Sequence, residues 1–272
     1  NGRDKNRIGG ITLADGTAFG GTAEGEPLYR YYGYVVDHII ETQEQADNAM
    51  YDSSAKGYRP SDGKNIAGRK EIGDYEWKNR EGSQTKDGKD YIDSQDQFLL
   101  GYTVPHSTGG LNNNFTYKNF TLNIFVDWAL GHSINNNSEM RYFMNTFANN
   151  YTLIDEVKQC WKQPGDNTKY ARFTANDPDD GNANFSRTSN VFNYKGDYLC
   201  IREISLQYNV PTNKLTKLGI QNLAITLAGN NLHYFTAVKG VSPEVGASTT
   251  YNKDYYNYPP IRKYSVGVKV TF

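Results

Sequence analysis

Apolar and polar residues alternate with a period of two along several stretches of this chain. In FTLNIFVDWALG (120–131), Leu122, Ile124, Val126, Trp128 and Leu130 share one parity, while Thr121, Asn123, Asp127 and Ala129 share the other with Phe125. EISLQYNVP sets Ile204, Leu206, Tyr208 and Val210 against Glu203, Ser205, Gln207 and Asn209. NLAITLAGN sets Leu223, Ile225 and Leu227 against Ala224, Thr226, Ala228 and Asn230. GGLNNNFTY opposes Leu111, Phe115 and Tyr117 to Asn112, Asn114 and Thr116. The closing RKYSVGVKVTF opposes Tyr264, Val266, Val268, Val270 and Phe272 to Lys263, Ser265, Gly267, Lys269 and Thr271. Side chains alternate across a strand, so each stretch predicts a strand with one apolar and one polar face. The predicted strands lie near 109–117, 120–131, 198–210, 222–235 and 262–272, with a further one, aromatic on both faces, near 27–40.

The polar rows and the connections bear on what such strands build. A soluble sandwich usually turns Lys, Glu and Thr outward. Here the polar rows carry Asn, Gln, Ala, Ser, Thr and Gly with scattered charges, the character of a hydrated lumen. The links also alternate in length. YKNF and PTNKLTKLGIQN are short, whereas 41–107, 132–197 and 236–260 are long. Loops beyond about 15 residues are uncommon in compact domains. Strict alternation is expected of a transmembrane β-barrel with short turns on one side and long extracellular loops on the other. The competing reading is a soluble β-sandwich acting as a carbohydrate-binding module, with shorter loops at both ends and a chain that folds without detergent. A β-fold hydrolase is a third reading, and no catalytic signature supports it.

Composition narrows this further. With 29 basic and 30 acidic residues the formal charge is −1, so no global field points to nucleic acid or acidic lipid. Mean hydropathy is −0.74, and no apolar run approaches the roughly 20 residues of a membrane helix. Barrel strands escape that test because their two faces average out. The 22 Tyr, 12 Phe and 26 Gly suit a β-rich chain with aromatic girdles. Cys160 and Cys200 match no zinc or redox spacing; a disulfide between them and two unrelated buried thiols both fit, the second better. Residues 1–20 lack the apolar core of a signal peptide. His38, His106, His132 and His233 are scattered without a metal-ligand rhythm, and no nucleophile elbow or phosphate loop is present. No enzymatic activity is expected.

Several ordered stretches resemble one family. DYLCIREISLQYNVPTNKLTKLGIQNLAITLAGNNLHYFTAVKGVSPEV followed by YPPIRKYSVGVKVTF is similar to the C-terminus of SusC/RagA-type TonB-dependent outer-membrane transporters of the Bacteroidetes. Upstream, GEPLYRYYGYVVDHIIETQEQADN and LGYTVPHSTGGLNNNFTYKNFTLNIFVDWALG resemble the same family in the same order. The resemblance implies an all-β fold, the C-terminal segment of a 22-stranded plugged antiparallel barrel. It implies a chain that is one portion of that barrel, completed by a preceding segment that carries the plug, the TonB-contacting region and the signal peptide. The function so implied is import of a nutrient oligomer, glycan or peptide, across the outer membrane with a SusD-like surface lipoprotein, TonB acting through the plug. Phe272 would be the terminal aromatic read by the barrel-insertion machinery. No nucleic acid partner is implied.

Candidate site residues follow. Parity places Asn123, Asp127, Glu203 and Gln207 on the lumen-facing row. The stretch 138–163 has helix-like spacing of Met140, Phe143, Phe147, Val157 and Trp161, and in the family this region is extracellular. Its aromatics are expected mostly to pack the loop onto itself, with Tyr142 and Trp161 as candidate contacts to substrate or lipoprotein lid. KDGKDYIDSQD carries Asp87, Asp90, Asp93 and Asp96 where relatives often have a calcium-like loop, and this copy departs from that pattern. Calcium needs about six to eight oxygens in a defined loop, so a solvated acidic loop is expected, with no metal or other cofactor.

Overall fold

The computed structural model describes residues 7–13, 17–52, 70–80, 85–86, 89–136, 139, 143, 153–173, 184–211, 213, 215, 219–244 and 260–272. Two compact units account for them: one spans 1–103, 133–194 and 246–256, the other 104–132, 195–245 and 257–272.

The second unit is one five-stranded sheet. Its strands are β1 (Ser107–Tyr117), β2 (Phe120–Leu130), β3 (Tyr198–Asn209), β4 (Asn222–Thr236) and β5 (Lys263–Thr271). They hydrogen-bond in sequence order, every pair antiparallel, as a meander. The β1–β2 hairpin turns on Lys118 and Asn119, with Lys118 in the left-handed region at φ 52°. An 11-residue strand such as β2 is roughly 37 Å long, and roughly 28 Å tall when tilted by about 40°. That height matches a hydrocarbon core.

Register turns the sequence parities into faces. Leu122, Ile124, Val126 and Trp128 of β2 sit opposite Leu206, Ile204, Ile201 and Leu199 of β3. Leu227, Ile225 and Leu223 of β4 lie between Leu206 and Tyr208 on one side and Val266, Val268 and Val270 on the other. This face is largely uncovered: Leu227 is 51% exposed, Val266 73% and Val268 63%. An apolar face of that extent does not stand in water in a soluble monomer. Aromatics mark both of its ends. Tyr117, Phe120 and Tyr208 stand at the short-turn end, the last two with ring centroids 4.7 Å apart, and Trp128, Phe235 and Tyr264 at the other. Trp128 lies flat over Gly109, where a Cβ would come within 2.3 Å of the indole.

The first unit is built around an aromatic cluster. Phe143 stacks on Tyr170 at 4.4 Å and meets Phe185 at 5.1 Å and Phe192 at 5.3 Å; Tyr75 meets Trp77 at 5.4 Å. The same unit holds the ion pairs of Lys70 with Glu76 at 2.5 Å, Arg172 with Asp74 at 2.5 Å, and Arg187 with Asp52, their carboxylates buried. Its strands are short. The sequence predicts one long strand near 27–40. The structure has two, Arg30–Gly33 and Val36–Ile39, paired with Phe98–Tyr102 and Tyr75–Trp77 respectively. The break is at Tyr34, whose backbone turns aside to bond Thr188 and Asn190. At Gly33 a Cβ would lie 2.6 Å from the Thr188 carbonyl, so the chains cross where only glycine fits. Residues 41–107 are likewise not one plain loop. They hold the helix Gln43–Asn48, capped by Thr42, and further short strands.

Candidate functional site

The polar face of the five-stranded sheet gathers the candidate residues. Asn123 pairs with Ser205, Thr121 with Gln207, Phe125 with Glu203 and Asp127 with Cys200, so Asn123, Asp127, Glu203 and Gln207 all share this face. Gly110, Asn112, Asn114 and Thr116 continue it on β1, and Ser265, Gly267 and Lys269 on β5. Small and amide side chains cover it with little bulk. Gln207 Nε2 donates to Asn209 Oδ1 at 2.8 Å, and Asn230 Nδ2 donates to Glu203 Oε2 at 3.3 Å. Asn123 Oδ1 is buried and has no partner among the described residues.

Strict alternation from Ile204 back along β3 would place Arg202 in the apolar row. The register instead shifts there: Phe125 faces Glu203 and Val126 faces Ile201, leaving Arg202 as a bulged extra residue. On β4 the shift between Asn230 and His233 takes in Asn231, at φ 52°, and Leu232. A bulge leaves its extra residue outside the ladder and re-aims the side chain. Arg202 thereby reaches the polar face, where its Nε and Nη2 donate to Asp127 Oδ1 at 2.9 Å and Oδ2 at 2.7 Å. Nη1 donates to Asn231 Oδ1 at 2.8 Å and to the Tyr234 hydroxyl at 3.1 Å, and Nη2 also meets Glu244. A two-pronged guanidinium–carboxylate bond of this kind is geometrically specific as well as strong. The cluster lies toward the end of the strands from which the long connections leave. Arg202, Asn231, Tyr234 and Glu244 are absent from the sequence-based candidates. The usable signal was an arginine falling in an otherwise apolar row.

The remaining candidates lie elsewhere. Trp161 is 9% exposed and buried in the first unit, with its ring over Gly73, so the structure gives it a packing role in place of an exposed contact surface. Tyr142 lies outside the described residues, as do Met140, Phe147 and Asp87. Asp93 caps the short 3-10 helix Ser94–Asp96 by accepting from Gln95 N at 2.6 Å. Asp96, fully buried, accepts from Arg80 N and Asp93 N, each at 2.8 Å, and burial holds its carboxyl above the ordinary value. Both carboxylates serve the local backbone. Asp90 is exposed on the strand Lys89–Ile92. Cys160 and Cys200 are buried free thiols. Phe272 follows β5 and is 79% exposed.

Comparison with known proteins points one way. No protein-family model matches the chain. It is 28% identical over 194 residues to a TonB-dependent receptor of Formosa agariphila, covering 68% of this chain and 18% of that receptor. A second TonB-dependent receptor of the same organism is 26% identical over 200 residues, 70% of this chain and 18% of the relative. The chain therefore spans about a fifth of the length of the curated relatives it matches. Among solved structures, a RagAB peptide importer in the open-open state superposes with a TM-score of 0.57 at 17% identity, over 98% of this chain and 24% of that one. A RagAB peptide transporter superposes with a TM-score of 0.56 at 20% identity, over 74% and 21%.

Proposed function

We propose, from the premise that this chain is a SusC/RagA-type relative of the TonB-dependent receptors, that it forms wall and extracellular loops of an outer-membrane transporter. Sheet β1–β5 is a wedge of the C-terminal part of a plugged barrel, its apolar face toward lipid and its polar face toward the lumen. The whole transporter takes up a nutrient oligomer, a glycan or a peptide, under a SusD-like surface lipoprotein, and TonB acts through the plug of the preceding part. This chain supplies a surface and no covalent chemistry. Asn123, Asp127, Glu203 and Gln207 line the path, and Arg202 ties Glu244 to the lumenal wall beside it.

One observation carries the reading: a single sheet whose two faces have opposite polarity, the apolar one exposed and bounded by aromatics at both ends. A nonpolar solvent against one face and water against the other stabilise that arrangement. Single cysteines placed along β5 of the full-length protein in outer membranes test it with a membrane-impermeant maleimide. Positions 265, 267 and 269 should label and 266 and 268 should not. Equal labelling of both parities would sink the wall assignment.

A further inference from the structure

Three strand ends of the second unit converge on His132, just past the end of β2. Gly196, ahead of β3, donates its N–H to the His132 carbonyl at 2.8 Å. A Cβ at Gly196 would lie 2.4 Å from His132 Nε2, so the imidazole lies directly on that backbone. The Tyr198 ring meets it edge-on, the centroids 6.4 Å apart. Beside it, Gly131 N donates to Asp197 Oδ1 at 2.6 Å, and the Asp197 carbonyl accepts from the Thr236 hydroxyl, at the end of β4, at 2.9 Å. The Thr236 oxygen in turn accepts from Val238 N at 3.2 Å, which sets the start of segment 237–244. The segment comes back at Pro243, which is buried and whose carbonyl accepts from His132 Nε2 at 3.4 Å. One residue on, Glu244 meets Arg202.

His132 is 6% exposed. A carbonyl can only accept, so the Pro243 oxygen selects the tautomer with the proton on Nε2. Nδ1 is then a bare lone pair, buried and without a partner among the described residues. Protonation would place an N–H there that meets no acceptor, and a charge where water is excluded, and both are unfavourable. The surrounding charges pull in different directions. Asp197 and Tyr198 come from the start of β3, Lys239 and Glu244 belong to the segment, the latter taken by Arg202, and His106 lies against Gly131. Burial is the largest influence and holds the ring below its ordinary value of 6.5, against the Pro243 carbonyl and Asp197, which favour the cation.

We propose that His132 is a proton-operated catch: neutral, it holds segment 237–244 against the ends of β2 and β3, and protonated, it lets the segment go. A group whose folded value is lowered stabilises the closed arrangement above its ordinary value, and that stabilisation is lost as pH falls from there through the folded one. Mild acid therefore frees the segment and neutral medium retains it. Opening breaks two ties, at His132 and at Arg202, and substitution separates them. The catch does not depend on the transport reading.

Hydrogen exchange over residues 237–244 of the full-length protein in detergent, divided by the intrinsic exchange rate at each pH, tests this at about pH 7.5 and 5.5. Opening should increase toward the lower pH, by at most about tenfold for a ring of ordinary value 6.5. His132→Gln keeps a donor for the Pro243 carbonyl and does not titrate, so its opening should be equal at the two pH values. Arg202→Gln should raise opening at both and leave their ratio as it was. Exchange of the imidazole C2 hydrogen in the unaltered protein reads the titration of His132 by itself and stands even if His132→Gln does not fold; it should place the ring below 6.5. No increase in opening in the unaltered protein, the same increase in His132→Gln, or a His132 ring titrating at or above its ordinary value would overturn the catch.

Discussion

Gly73→Ala isolates what Trp161 does. Gly73 sits at φ 95°, its N–H donates to the Ile40 carbonyl at 2.7 Å, and its own carbonyl accepts from Arg172 N at 2.8 Å, so its backbone is held on both sides. A methyl group there meets two separate penalties. The left-handed backbone costs an L-residue about 1–2 kcal/mol. The new Cβ would also lie 2.5 and 2.6 Å from Trp161 Cε3 and Cζ3, and relieving such overpacking costs about 1–3 kcal/mol more. The ring has little room to yield, because Trp161 is 9% exposed and its backbone is fixed by the bond from its amide N–H to the Tyr170 carbonyl at 2.9 Å. The sum is roughly 2–5 kcal/mol of local stability. In a Trp161→Leu background the ring clash is gone and the backbone penalty stays, so the same glycine substitution should cost only about 1–2 kcal/mol. Hydrogen exchange on peptides of the first unit, measured for the four proteins of this double-mutant cycle, gives the coupling directly. Equal costs in the two backgrounds would show that the indole does not lie on Gly73. The packing role assigned here to Trp161 would then fall, and a contact to substrate or lid would regain its place.

Two other outcomes follow from the same geometry. Arg202→Gln leaves Asp127 and Glu244 without their cation at side-chain exposures of 20% and 28%; it should cost at most about 3 kcal/mol, the low end for breaking a buried pair. Faster exchange over residues 237–244, partly restored by adding Glu244→Gln, is the readout, and unchanged exchange would refute the tie between Arg202 and Glu244. Burial pushes the Cys160 thiol from 9.0 up to about 12. The folded value is raised, so the stabilisation is present below the unfolded value and is lost as pH rises through the folded one. Iodoacetamide at pH 8 should therefore leave Cys160 unmodified in the native protein (about 8 being the free-thiol range). Alkylation at the rate of a free thiol would contradict the burial.

Alternation by itself determined that β1 to β5 are strands and which rows are apolar, because a period of two is written locally and needs no partner to be read. The two-residue link between Tyr117 and Phe120 likewise placed a hairpin. It could not determine where alternation is interrupted. The bulge that sends Arg202 to the polar face exists because β2 and β4 pair with β3 on either side of it, and those partners lie more than twenty residues away in the chain. The break at Tyr34 has the same origin, since residues 188 and 190 make it. Asp93 and Asp96 were expected in a solvated acidic loop, and folding instead turned them onto backbone N–H groups, one of them that of Arg80, sixteen residues away. Trp161 was a candidate contact to substrate or lid in sequence, and Gly73, nearly ninety positions earlier, supplies the space against which its ring packs. Periodicity is a property of neighbours along the chain, whereas bulges, crossings and buried rings are set by contacts between distant segments, and only the folded structure brings those together.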